Sequence, residues 1–286
     1  MVPTKERNHQ SILLSYKNEN IMIDCGEGTQ RQLRIAGIKP TSITKLLISH
    51  WHGDHVLGIP GLLQTLAVSN YEKTLLIYGP KGTKKHFSWM KKAFEFTREI
   101  KYKIKEVGNG KFFENEDFKL ESYELEHKIP CVGYRFVEKD KIRIIMSKVK
   151  KLGLREGPLI GRLQKGKSII LNGKRIRPSD VGYVEKGRII GFITDTGLCE
   201  NCLRIAENAD LLVSEATFKT ELSEKAFEYS HLTIKDAAYI ATKANVKKLI
   251  ITHFSQRYKS TNEIEEEAKQ YFQNVRAAYD FMKITL

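Results

Sequence analysis

Three imidazoles and a carboxylate fall within six residues at His50-Trp51-His52-Gly53-Asp54-His55. Neutral imidazole nitrogen and carboxylate oxygen are ordinary zinc ligands, and a set without thiolate suits a catalytic ion better than a structural one. The chain has 286 residues and 8 histidines, so three in six positions is a concentration that a polar surface loop does not explain. His50 and His52 stand two apart, and an extended backbone sends both rings to the same side. Asp54 and His55 follow a turn and can address a second point. His127, Asp195 and His253 each come directly after an apolar run that reads as a strand. Taken singly, each is a surface or hydrogen-bonded residue. Strand ends on one edge of an α/β sheet converge, however, and that is where such proteins place their sites. Together the residues make two ligand sets: His50, His52 and His127 for one zinc, Asp54, His55 and His253 for a second, with Asp195 bridging. Two zincs per subunit, about 3.5–4 Å apart, can make a shared water a nucleophile at neutral pH and steady a phosphorane-like transition state.

The elements that must position these groups are legible in outline. Ser11 to Tyr16 and Asn20 to Asp24 read as a hairpin, and Thr29 to Ala36 as a helix ended by Gly37. Ile43 to Ile48 is a buried strand leading into the ligand stretch, where Gly53 and Gly58 are expected to let the backbone turn sharply. Ile59 to Val68 has helical spacing, Leu75 to Tyr78 is a strand, and Lys84 to Phe96 is a basic amphipathic helix. Strands are expected at 101–105, 111–113, 118–126 and 131–137. Beyond residue 190 the alternation resumes, with strands at 188–194, 211–214 and 247–252 and helices at 200–207, 233–243 and 263–272. Ser260-Thr261-Asn262 caps the last helix, and Phe281 to Leu286 reads as a final strand.

Residues 139–190 differ. They hold 15 Lys or Arg against 4 Asp or Glu, a net +11 of the chain's +14, and seven glycines. This segment reads as an inserted, flexible basic arm, approximately 139–190, within a single domain of residues 1–286, and not as core. Concentrated positive charge favours a polyanionic partner, nucleic acid before membrane. No apolar run approaches the length of a membrane span, the first ten residues are polar, and no signal peptide is visible, which points to the cytoplasm. Four cysteines are too few and scattered for a disulfide framework. Cys199-x-x-Cys202 has no second pair and reads as the opening of a helix with a thiol in the core. His9 and His86 read as surface residues, Trp51 and Trp89 as packing residues.

The motif His50-x-His52-x-Asp54-His55, with the later His, Asp and His, resembles that of the metallo-β-lactamase superfamily. Further blocks resemble ribonuclease Z within it: Pro3 to Asn8, Ile23 to Gln32, Ser49 to Leu62, Glu126-His127 with Gly133-Tyr134-Arg135, Gly157-Pro158-Leu159, Thr194-Asp195-Thr196, Ser214 to Phe218, His231-Leu232-Thr233 and Thr252 to Tyr258. The resemblance runs from Pro3 to Tyr258. It implies an αββα sandwich of two mixed sheets flanked by helices, with a protruding arm that binds RNA. It implies a zinc endonuclease that cuts precursor tRNA after the discriminator base, leaving a 3′-hydroxyl on the tRNA and a 5′-phosphate on the trailer, and working as a homodimer in which one arm holds tRNA for the other subunit's site. Asp54 would be the general base, His231 the acid for the leaving oxygen, and Glu215 its orienting partner. On the arm, Arg155, Gly157, Pro158, Arg162, Lys165 and Lys167 would grip the RNA. Ser214 and Leu232 stand where many relatives have His and Ser, and neither change removes a ligand. Relatives begin with a strand ahead of the Pro3-Thr4 loop, so a late start or a missing edge strand is expected. Two other readings compete. A small-molecule thioester or lactone hydrolase of the same fold does not call for the basic arm. A non-catalytic RNA-binding relative would not keep every ligand position filled.

Overall fold

A computed structural model of the protein describes residues 2–96, 98–154 and 157–286. Its contacts cluster into two units. One comprises Met1–Phe113, Leu120–Phe136 and Ile189–Leu286, the other Glu114–Lys119 and Val137–Arg188.

The chain opens with a hairpin of β1 (Ile12–Tyr16) and β2 (Glu19–Ile23), in register with Tyr16 opposite Glu19. Helix α1 (Thr29–Ile35) follows, and Gly37, at φ 71°, takes the left-handed step that stops it. Strand β3 (Lys45–Leu47) leads through the ligand stretch into α2 (Gly53–Val56) and α3 (Ile59–Val68). Then come β4 (Leu75–Gly79), α4 (Thr83–Ala93) and β5 (Tyr102–Glu106). These strands form one sheet in the order β1-β2-β3-β4-β5, antiparallel in the hairpin and parallel from β2 onward. Strands β6 (Gly110–Glu114), β7 (Phe118–Leu125) and β8 (Cys131–Glu138) begin a second sheet.

The second unit contains β9 (Lys141–Ile144), α5 (Met146–Lys151), α6 (Pro158–Gln164), β10 (Ile169–Leu171), β11 (Lys174–Ile176), α7 (Pro178–Val181) and β12 (Gly182–Glu185). It is not the coreless extension that its glycines and charges suggest. Val149, Leu154, Ile160, Leu163, Ile169, Ile176 and Val181 form a buried apolar cluster of their own. The apolar positions are sparse in sequence, which hides the pattern, because no short element contributes more than two.

The chain returns through β13 (Ile189–Ile193), α8 (Glu200–Ala206), β14 (Leu211–Glu215), α9 (Ser223–Tyr229), α10 (Ile234–Lys243), β15 (Leu249–Thr252), α11 (Asn262–Tyr271) and β16 (Val275–Ala277). The second sheet runs β16-β15-β14-β13-β8-β7-β6. Helix α10 is fixed at its start by a reciprocal cap, with Thr233 Oγ1 accepting from Asp236 N while Thr233 N donates to Asp236 Oδ2.

Alternation along the strands sorts the core into layers. Met22, Leu46, Leu75 and Ile77 face α1, α3 and α4. Leu212, Leu249 and Ile251 face α8, α10 and α11. The opposite faces of the sheets meet through aromatic pairs, Tyr16 with Phe136 at 5.3 Å and Tyr78 with Phe112 at 4.7 Å between ring centroids. The result is the αββα sandwich.

Three details differ from the sequence reading. Phe281 to Leu286 is not a strand; β16 at Val275–Ala277 takes the edge beside β15, and Asp280 instead accepts from Asn8 N. Helix α9 carries no obvious apolar period, and Phe227 on it is exposed. Gly58 does not provide an unusual turn, since its φ is −78°. It provides closeness: Gly58 N donates to the Cys25 carbonyl at 2.9 Å, and Cys25 N donates to the His55 carbonyl at 2.8 Å. A Cβ at Gly58 would run into the Gly26 carbonyl oxygen. Gly58→Ala is therefore expected to cost about 2–3 kcal/mol of stability through forced backbone shifts, read as a lower denaturation midpoint at unchanged slope.

Candidate metal centre

Each donor lies where an element ends. His50 and His52 follow β3, and Asp54 and His55 lie in α2. His127 stands two residues past β7, Asp195 two past β13, and His253 directly past β15. The fold brings all seven together. His50, His52, His127 and Asp195 form one group, and Asp54, His55, Asp195 and His253 another, with the donor atoms of each group within 4.8 Å of one another. In the first, His52 Nδ1 is 3.1 Å from His50 Nε2 and 3.2 Å from His127 Nε2, and Asp195 Oδ2 is 3.7 Å from His50 Nε2. In the second, His55 Nε2 and His253 Nε2 are 3.3 Å apart, and Asp195 Oδ1 is 3.4 and 3.2 Å from them. Asp54 Oδ2 is 3.5 Å from both.

These separations test whether a metal fits. Four ligands at zinc bond lengths of about 2.0–2.1 Å around a tetrahedron stand about 3.3 Å apart along each edge. The observed values bracket that edge. Asp195 Oδ1 is buried without a hydrogen-bond partner, as expected of an atom reserved for a cation. Burial pushes His50, His52 and His127 below the usual histidine value, which favours the neutral ligand form. Burial opposes charge on Asp195, but His253 and His55 outweigh it and hold the carboxylate well below the usual range. The donor set fits a divalent ion in each group, and the protein is a metal-binding one.

Behind the donors lies a second ring of contacts that the sequence reading did not assign. Asp24 Oδ2 accepts from His55 Nδ1 at 2.7 Å and from Ser49 Oγ at 2.8 Å, and its Oδ1 accepts from Ser49 N. Ser49 Oγ also meets His50 Nδ1 at 2.9 Å. His127 Nδ1 donates to the Ser230 carbonyl. Thr217 Oγ1 donates to Glu215 Oε2 at 2.6 Å and accepts from His253 Nδ1 at 2.9 Å. Each of the four rings that present Nε2 thus has its other nitrogen engaged, which fixes its orientation. The signal for Asp24 was available, since it too follows an apolar strand. Asp24 and His253 are both left-handed, at φ 58° and 59°, a conformation that non-glycine residues adopt only where surrounding structure enforces it.

Glu215 and His231 meet beside the second group. His231 Nδ1 donates to Glu215 Oε1 at 2.9 Å, and the His231 ring stacks on His253 with centroids 5.6 Å apart. Glu215 is fully buried and also accepts from Thr196 N and Thr217 N. Burial would lower the His231 value, but the Glu215 carboxylate overrides it and raises it to about 9. The remaining predicted residues belong to the second unit. Gly157 and Pro158 open α6, Arg162 lies in its last turn, and Lys165 and Lys167 follow; the three cations are exposed. Arg155 lies outside the described residues. Cys199 caps α8 and Cys202 is buried, as expected. Their sulfurs are 3.5 Å apart, and the hydrogen bond from Cys202 draws the Cys199 thiol down to about 6.

A family profile described as Anti-Pycsar protein Apyc1 matches residues 3–140, which hold the ligand stretch and His127 but neither Asp195 nor His253. The chain is 39% identical over 284 residues to Ribonuclease Z of Methanothermobacter thermautotrophicus, covering 99% of this chain and 92% of the relative. It is 39% identical to Ribonuclease Z of Bacillus cereus, covering 98% and 94%. Among solved structures, human tRNase Z, short form, superposes with a TM-score of 0.70 at 27% identity, covering 100% of this chain and 95% of the other.

The orienting contacts generate a prediction. Asp24→Asn takes the charge and one of the two acceptor oxygens from the group that holds His55 Nδ1 and Ser49, without changing side-chain size, so divalent-ion affinity should fall about 10–100-fold. Competition with a chromophoric chelator measures it, and circular dichroism should remain that of the parent.

Proposed function

The chain belongs to the ribonuclease Z family, and from that premise we propose how its residues perform the reaction. The protein is a metal-dependent endoribonuclease that removes the 3′ trailer from precursor tRNA. Water is added across the phosphodiester after the discriminator base, leaving a 3′-hydroxyl on the tRNA and a 5′-phosphate on the trailer. The observation that carries this reading is the pair of donor groups meeting at Asp195.

We infer two zinc ions per subunit, because the donors are all nitrogen and oxygen and sit at tetrahedral spacing. His50, His52 and His127 would hold one and Asp54, His55 and His253 the other, with Asp195 between. Ions bound there would supply Lewis acidity, lowering the pKa of a water and offsetting charge on the phosphate. The residues do the rest. Burial opposes the charge on Asp54, but its contact with His253 outweighs this and keeps it ionised, so it can take the proton of the attacking water. His231, protonated at neutral pH, has Nδ1 committed to Glu215, and its Nε2 proton is available for the departing 3′ oxygen as the P–O bond breaks. Glu215 orients the ring and sustains its charge. The basic segment, approximately 139–190, supplies phosphate contacts to the duplex part of tRNA, whose A-form geometry hides its major-groove edges. A homodimer in the cytoplasm is the working form that the family resemblance supports.

The direct test incubates purified zinc-loaded protein with a 3′-extended precursor and maps the new end; cleavage elsewhere than after the discriminator base would refute the assignment. Asp54→Ala should lower cleavage by at least about a hundredfold while tRNA binding persists. Glu215→Gln should move the alkaline limb of kcat/KM from near 9 toward the ordinary histidine value of about 6.5. The sign follows from the acid role: His231 must carry its proton, and without Glu215 it loses it at lower pH. Replacing Arg162, Lys165 and Lys167 by alanine should weaken precursor binding and reduce the slope of log K against log salt by about 2–3.

A further inference from the structure

Three aromatic rings run from the ligand stretch onto α4. Trp51 stands between His50 and His52. Its indole N–H donates to Thr83 Oγ1 at 3.0 Å, and the ring packs partly against the apolar cluster beneath. His86 lies over it nearly parallel, with centroids 5.2 Å apart and an interplanar angle of 21°. Trp89 meets His86 edge-on at 5.5 Å. Lys85 Nζ sits 4.5 Å from the Trp89 ring centre.

Packing does not account for this arrangement. Phe87 already supplies the buried contact of α4 at 1% exposure, whereas Trp89 is 52% exposed. Lys84, Lys85, His86 and Lys92 are exposed as well, and α4 itself contains no acid. Of the acids beside the helix, Glu106 uses Oε1 to accept from Gly82 N and Lys84 N, and Glu99 pairs with Lys91. The outer face of the strip therefore combines aromatic planes with positive charge. That is the chemistry by which proteins hold single-stranded nucleic acid, the bases stacking on the rings and the cations meeting the phosphates.

We propose that Trp51, His86 and Trp89, with Lys84, Lys85 and Lys92, form a platform for the unpaired nucleotides of the trailer, directly 3′ of the scissile phosphate. The proposal rests on the endonuclease reading above. Bases of the acceptor stem are already paired and stacked, so they have no faces to offer. The unpaired nucleotides that adjoin the cut in any number are those of the trailer. The strip starts at the residue between two ligands, so a strand leaving the metal centre meets the stack of His86 on Trp51 first and Trp89 last. The platform consequently makes the enzyme sensitive to trailer length: a single nucleotide cannot extend to Trp89, and a longer one can.

The test compares two precursors of one tRNA, one with a single-nucleotide trailer and one with a long unpaired trailer, using the zinc-loaded full-length protein as wild type, Trp89→Ala and Trp89→Phe. The ratio of kcat/KM for long over short should fall about tenfold in Trp89→Ala, the loss of one stacked base, and recover in Trp89→Phe. The chain has only 2 tryptophans, both in the strip, so intrinsic fluorescence reports on it directly. Adding the released 5′-phosphorylated long trailer should quench the wild type, and quench Trp89→Ala less. An unchanged ratio across the three proteins, or no quenching, overturns the proposal. So does an unchanged ratio accompanied by an altered oligomeric state of Trp89→Ala, which would assign the face to contact between subunits. If the wild type cuts neither precursor, the endonuclease reading fails instead, and the fluorescence titration still decides whether the strip binds single-stranded RNA.

Discussion

A carboxylate sealed among five imidazoles is the constraint that the rest of the molecule must satisfy. Asp195 is 3% exposed, and one of its oxygens has no hydrogen-bond partner. Burial opposes its charge, and among the side chains the His55 and His253 rings, 3.4 and 3.2 Å from that oxygen, offset the burial. The donors gathered round that oxygen suit a bound metal cation, which would offset the same charge. The sandwich of two sheets serves that arrangement, because the strands stop where the donors begin and their cores hold the ends still.

The donors are only as good as what stands behind them. Asp24, Ser49 and Thr217, together with the Ser230 carbonyl, decide which nitrogen each of four rings turns inward. Two of these positions, Asp24 and His253, hold a left-handed backbone that costs of order 1–3 kcal/mol unless it is over-determined. It is over-determined here: Asp24 N donates to the Leu47 carbonyl, and the His253 side chain is tied by its Nδ1 to Thr217 Oγ1 at 2.9 Å. Strain and orientation are thus settled by the polypeptide before any ion arrives. Glu215 joins this framework, since it accepts from Thr196 N, Thr217 N and His231 Nδ1.

The site was more legible than the architecture around it. Ligation needs particular side chains, so His50 to His55 declare themselves by type and spacing, and His127, Asp195 and His253 follow from standing after apolar strands. Asp24 obeys the same rule, but it stands beside Cys25-Gly26, and an aspartate next to a glycine at a strand end is equally ordinary in a turn. Helix boundaries such as Ile59–Val68 could be read because leucines and isoleucines repeat at the helical period. Residues 139–190 could not be read as structure, since charge and glycine dominate their composition and the buried cluster takes at most two positions from any element. The last strand was misplaced for a related reason: Phe281 to Leu286 alternates well, but pairing beside β15 is taken by Val275–Ala277, and tertiary pairing outranks local pattern.

The scatter of the donors also sets a schedule for their arrival. His55 and His253 touch across 198 positions of sequence. At synthesis rates of about 5–20 residues per second, the first leaves the ribosome roughly 10–40 s before the second. During that interval His127 and then Asp195 join the four donors of the ligand stretch, and His253 comes last. Only the final quarter of translation supplies the imidazole that completes the second donor group.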